Sequence, residues 1–113
     1  MTDAEFLERY KATLARLEAV VEDAINEDDV EIDYESGNDM LTLSFTNGSV
    51  VIISRQSAIH QLWMAARSGG FHYDWDLGKT DWVCSVNGQT LTAMLEDICL
   101  KQGGVQVSFQ APD

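Results

Sequence analysis

Between Arg16 and Arg55 the chain has no lysine and no arginine. Basic residues are scarce throughout: seven Lys and Arg stand against 19 Asp and Glu, for a formal net charge of -12. Such a chain repels phosphate backbones and anionic lipid surfaces, which argues against nucleic-acid and membrane partners. Cations and basic protein surfaces are its natural counterparts. No run approaches the ~18 apolar residues of a membrane span. The opening MTDAEFLERYK is charged where a signal peptide needs an apolar core, so the expected compartment is the cytoplasm. Cysteine is limited to Cys84 and Cys99, at a spacing that matches no zinc or redox motif, and two buried thiols are expected. With one proline and 45% hydrophobic residues, the chain is expected to fold despite its charge. There is no phosphate-cradling glycine loop and no assembled Ser/His/Asp set. Cys84 sits among apolar neighbours, a poor setting for a reactive thiolate. The expectation is a non-enzymatic protein without an organic cofactor.

What is present is a clear change of hydrophobic period. Phe6, Tyr10, Leu14, Leu17, Val21 and Ala24 recur three and four apart, which predicts a helix over 3–25 capped by Thr2 or Asp3. The period then falls to two. In DVEIDYE, Val30, Ile32 and Tyr34 turn inward while Glu31, Asp33 and Glu35 turn outward, and SGND reverses the chain. MLTLSF and VVIISR form the next two strands around the hairpin signal TNGS. AIHQLWMAA, FHYDW and WVCSV supply three more, joined by RSGG and by the polar loop DLGKTD. Residues 90–102 return to helical period, with Thr90 as N-cap, Leu91, Met94, Leu95 and Ile98 as the stripe, and Gly103 as the stop. VQVSF should pack back on the core as strand or extended coil. The predicted fold class is α+β: a two-layer α/β sandwich with two terminal helices on one face of an antiparallel sheet of about six strands, residues 1–113 forming one domain.

The basic-free window holds the acids. Glu18, Glu22, Asp23, Glu27, Asp28, Asp29, Glu31, Asp33, Glu35 and Asp39 all fall within it. Glu18 and Glu22 are like charges four apart on a helix, and Glu22 and Asp23 lie near its negative end. If helix and strand are adjacent, the two carboxylate rows meet along one ridge, with self-repulsion of ~1–3 kcal/mol in all against a total stability of ~5–15. A surface built only for solubility would intersperse signs, and breaking that rule is what functional surfaces tend to do, whereas a generic charge run is more often a solvated face with no ligand. Oxygen-only donors suit iron, manganese, calcium or magnesium, held weakly on an open surface. A calcium loop framed on Asp29, Glu31 and Asp33 fails because Tyr34 occupies the place of the turn glycine. The candidate metal residues are Glu18, Glu22, Asp23, Asp29, Glu31 and Asp33.

Alternation in IHQLWMA separates Leu62 and Met64 from Gln61 and Trp63, and in FHYDW it sends His72 and Asp74 outward. It leaves open which face Trp63 takes. If the helices cover Leu62 and Met64, Trp63 stands on the solvent side near His72 as an interface anchor.

Over nearly its whole length the chain resembles a bacterial frataxin of the CyaY type. The likeness rests on the helix–meander–helix order, the acidic end of the first helix, TNGSVVIISRQ, HQLWMA, SGGFHYDW and WVCSVNGQTL, in family order and spacing. Ser54 departs from a frequent asparagine, Ala58 from a common proline and Ala19 from a frequent acid, and the Asp76–Thr80 loop is somewhat longer. The resemblance implies a regulator of iron–sulfur cluster assembly that binds Fe2+ or Fe3+ weakly on surface carboxylates. It also implies docking on a cysteine desulfurase, with the cluster scaffold protein a second candidate partner. The implied partner surface comprises Glu18, Glu22, Glu31, Asp33, Gln61, Trp63 and His72, with Trp63 exposed. A monomer is expected when no metal is present, because like charges repel. The alternative is an acidic interaction module that masks a basic partner with no role for metal.

Overall fold

A capping box opens the molecule: the Thr2 hydroxyl accepts from the Glu5 amide, and the Glu5 carboxylate accepts from the Thr2 amide. The structure, a computed structural model, describes residues 1–109. From this cap α1 (Asp3–Asp28) runs three residues beyond the expected end. Nothing in Asn26–Asp28 breaks a helix, and the stop comes when Asp29 enters the left-handed region (φ 53°) and Val30 turns its amide back to the Ala24 carbonyl. The expected stripe, Phe6 to Ala24, is buried along its length.

Six strands follow: β1 (Ile32–Gly37), β2 (Met40–Phe45), β3 (Val50–Gln56), β4 (Gln61–Ala66), β5 (Gly69–Asp76) and β6 (Asp81–Cys84). They form one antiparallel sheet in sequence order. α2 (Leu91–Gly103) then joins α1 on one face, which completes the expected two-layer architecture. Leu41, Ile53 and Met64 lie side by side in register beneath the helices, and Trp82, Tyr73 and Phe6 fill the other end of the core. Among the described residues no helix covers the opposite sheet face.

Other boundaries also differ from expectation. β1 starts at Ile32, so Val30 and Glu31 precede it. Ala58, Ile59 and His60 are not strand: Ser57–Ile59 is a 3₁₀ turn and His60 is left-handed (φ 52°). That turn is fixed from afar, because the His60 ring stacks on Phe6 at 5.3 Å and bonds Asp3 at 2.6 Å. β6 ends at Cys84, and Val86 is 90% exposed in the turn beyond it. Gly104 (φ 66°), not Gly103, is the left-handed cap of α2. Gly103 remains helical and is small for a different reason: a Cβ there would overlap the Phe45 ring. Cys84 and Cys99 are buried thiols, and burial pushes Cys99 up to about 12. The tail packs back as extended coil, with Val107 and Phe109 buried and Phe109 held by Arg16 and Glu96.

Candidate functional site

β1 is an edge strand, and α1 lies against its inner face. Ile32 is buried there, so Tyr34, two residues on, points the same way. The Tyr34 ring packs, half-buried, against the margin of the core, and its hydroxyl reaches out to donate to Glu22 Oε2 at 2.7 Å. Asn26 Nδ2 donates to the other Glu22 oxygen at 3.2 Å. Tyr34 first and Asn26 second hold the Glu22 carboxyl below the usual carboxylate range. The same bond pushes the Tyr34 phenol up, and the nearby charge of Glu18 acts in the same direction.

Asp33 and Glu35 alternate with these inward residues and therefore face the open side of the sheet, opposite Ser44 and Thr42. The expected ridge, on which the helix row and the strand row would meet, is thus divided by the edge strand. Glu18 and Glu22 stand on its helix side and Asp33 on its open side. Asp23 is exposed on α1. Glu31, ahead of the strand, joins Asp28 and Asp29 along a shallow groove of about 610 Å³ beside Gly103 and Gly104. Both helices end at this groove, so the negative ends of two dipoles add to the field of the acids. The arrangement is a band wrapped around an edge. Among the described residues no three His, Cys, Asp or Glu side chains converge closely enough to hold a metal ion.

The band is uncompensated. Among the described residues none of Glu18, Glu22, Asp23, Asp29, Glu31 and Asp33 is in an ion pair. Arg55 does fold back, but onto Asp39 at 2.8 Å, which removes that one acid from the band. Carboxylate oxygens in this setting can attract hard cations or a basic protein surface, and they can do so at several points at once.

Trp63 lies on the same open face, three strands from β1, or roughly 14 Å at ~4.8 Å per strand. It sits opposite Ser54 and His72, with its indole stacked on the His72 ring at 4.2 Å and 7° between planes. Its Nε1 donates to Gln61 Oε1 at 3.0 Å, and Gln61 Nε2 donates to Asp74 at 3.3 Å. Trp63 is therefore partly exposed on the side away from the helices, held flat by the residues expected beside it. Sequence reasoning missed two members of the site. Tyr34 faces inward as expected, but alternation says nothing of its hydroxyl, which needs a partner at the sheet margin and finds Glu22. Asp74 was read as outward but not connected to Gln61.

Comparison with known proteins agrees with this architecture. A family model described as a frataxin-like domain matches residues 1–105. The chain is 43% identical over 110 residues to an iron-sulfur cluster assembly protein CyaY from Pseudomonas fluorescens, covering 97% of this chain and 96% of the relative. It is 40% identical to the protein of the same description from Stutzerimonas stutzeri, covering 90% and 93%. A solved frataxin from Psychromonas ingrahamii superposes with a TM-score of 0.80 at 32% identity, over 98% of this chain and 100% of the other.

Proposed function

This chain belongs to the frataxin-like family, and on that premise we propose that it serves iron–sulfur cluster assembly as an iron-binding regulator in the cytoplasm. Iron is its cargo, gathered weakly and at several points on Glu18, Glu22, Asp23, Asp29, Glu31 and Asp33. The same band docks on a basic patch of a cysteine desulfurase, and the open sheet face with Gln61, Trp63 and His72 completes the contact. A cluster scaffold protein is the second candidate for that face. The protein acts by binding and not by catalysis, and it is a monomer without metal.

The observation that carries the reading is the uncompensated band: six acids at one edge without one ion pair among the described residues. Hard oxygen donors fit iron but do not select it; selectivity for iron is taken from the relatives' role. If one surface serves both ligands, iron neutralises the charge the partner reads, and each ligand alters the affinity of the other by the same factor.

One observation favours a second reading. The absence of a converging trio of ligands among the described residues suits a purely electrostatic module that masks a basic partner. One comparison separates the two. Ferrous iron and a desulfurase are titrated alone and together against the wild type and a variant carrying E18Q, E22Q, D29N, E31Q and D33N. Loss of both binding events supports the proposal. Iron binding unchanged in the variant removes the band as the metal site, and loss of desulfurase binding alone favours the masking module.

A further inference from the structure

β1 has a free outer edge: it pairs with β2, and among the described residues no further strand lies beyond it. Which main-chain groups face that edge follows from the turn. Asn38 and Asp39 are both left-handed (φ 53° and 59°), the two central residues of a hairpin closed by Gly37 and Met40. The closing pair exchanges both main-chain hydrogen bonds, and pairing then alternates along the ladder. Glu35 and Asp33 therefore bond to β2, while Ser36, Tyr34 and Ile32 direct their N–H and C=O groups outward. Two of these amides are seen to turn away from β2. Ile32 N–H donates to the Val30 carbonyl at 3.0 Å, and Tyr34 N–H donates to Asp33 Oδ1 at 3.2 Å. Ser36 is exposed beyond them.

The side chains on the two sides of this edge carry one sign. Glu22 stands on the helix side, with Glu18 one turn before it on α1. Asp33 and Glu35 stand on the open side. A flat basic patch faces one of these rows or the other. An extended segment laid along β1, about 4.8 Å beyond it, sends successive side chains to opposite sides of the sheet. It reaches both rows at once, while its main chain meets the outward groups of Tyr34 and Ser36. A second copy of this chain does not fit the edge, because pairing β1 with β1 would set Asp33 and Glu35 against the same acids. Those acids leave the edge open to a strand of opposite charge.

We propose that the β1 edge takes an extended basic segment of its protein partner as a seventh strand of the sheet, with lysine or arginine at neighbouring positions so that both acid rows are answered. This inference rests on the partner docking proposed above and names the part of the partner that docks. Asp33 guards the edge: its carboxylate holds the Tyr34 N–H until an incoming carbonyl displaces it, and a basic side chain then takes the freed charge. Main-chain bonds give the added strand its affinity, and alternate side chains give it selectivity. Trp63, three strands away on the open face, is not covered by the added strand.

The test uses the intact protein and a capped peptide of arginine and valine, six residues long like β1. A second peptide of the same sequence is N-methylated throughout, which removes its main-chain donors and keeps every charge. The amide resonances of Tyr34 and Ser36 are followed during each titration. The expected result is a saturable shift centred on these two amides and slowed hydrogen exchange at Ser36. The methylated peptide should bind about tenfold more weakly, as loss of two main-chain hydrogen bonds would give. Glu22→Gln and Asp33→Asn should each weaken the parent peptide about threefold, because it touches both sides. Equal binding of the two peptides, or shifts that leave Tyr34 and Ser36 unmoved, overturns the proposal and leaves the band a surface read by charge alone. A desulfurase titration separates this outcome from the function itself. Ser36→Pro removes an outward amide without changing charge, at an edge position where proline is tolerated, and should weaken desulfurase binding about fivefold. Undiminished binding in that variant overturns the added strand and keeps the docking. A wild type that does not bind the desulfurase removes the function proposed above instead. The peptide pair alone decides the matter should Ser36→Pro not fold.

Discussion

Asp29 closes α1 in a left-handed conformation (φ 53°, ψ 32°), with no basic residue in the last turn of the helix. Two penalties meet at this residue, and substitution can separate them. Asp29→Asn removes the charge while keeping a short polar side chain that tolerates this backbone. An acid at the negative end of a helix dipole costs ~0.3–1 kcal/mol, so the variant should be more stable by about that amount. Repulsion from Asp28 and Glu31, which share its groove, adds in the same direction. Asp29→Gly also removes the Cβ from a left-handed residue, a strain of ~1–2 kcal/mol for most side chains and less for Asp or Asn. Glycine's greater freedom in the unfolded chain offsets ~0.5–1 kcal/mol, so Asp29→Gly should match Asp29→Asn to within about 0.5 kcal/mol. The assay is urea unfolding at low salt and at ~1 M salt, where the Debye length falls to ~3 Å. The charge gain should shrink by more than half at high salt in both variants, whereas the difference between the Asn and Gly variants should not depend on salt. At ~4 °C per kcal/mol the melting temperature should follow. On the function proposed above, which counts Asp29 among the metal residues, cation binding should weaken in both variants. If Asp29→Asn destabilises the protein, or its gain ignores salt, the claim that this band works against folding stability is wrong.

Two further outcomes follow from the packing. The Tyr34–Glu22 bond lowers the Glu22 pKa, so its stabilisation is present above the ordinary carboxylate pKa and is lost as pH falls through the depressed value. It raises the Tyr34 pKa, so the contribution is also present below the ordinary phenol pKa and fades as pH rises through the raised value. The difference between wild type and Tyr34→Phe in urea midpoint, followed with pH, should therefore be a plateau falling away at both ends; a flat difference would show that the bond is not formed in solution. Gly103→Ala should destabilise by about 1 kcal/mol, because overpacking against the Phe45 ring, ~1–3 kcal/mol, outweighs the ~0.8–1 that alanine gains in a helix. Phe45→Leu should relieve part of that loss in a double-mutant cycle, and full additivity would refute the contact.

Much of the fold was readable before any coordinates. The apolar stripe of α1 and the alternation Leu41, Leu43, Phe45 each name a buried face, and those faces are buried. The places where reading failed share a cause. His60 leaves the strand because Phe6 and Asp3, more than fifty residues earlier, hold it. Gly103 resembles a helix stop, yet it is small because Phe45 lies over it, and nothing in either local stretch records the other. At the site, alternation alone could not choose a face for Trp63; the choice follows from the helices lying on Leu62 and Met64. Arg55 bounds the acidic window in sequence but pairs within it in space.

By itself the amino-acid order determined which residues would be apolar neighbours along a helix or strand, and that ten acids would stand in one stretch free of basic residues. Periodicity and charge density are properties of neighbours in the chain, so they survive without tertiary contacts. Only the folded structure decided that Glu22 and Asp33 lie on opposite sides of one edge strand, that Asp39 is neutralised, and that Arg9 lies over the Trp75 ring. Those relations depend on how separate segments pack against each other, and local sequence carries no term for that.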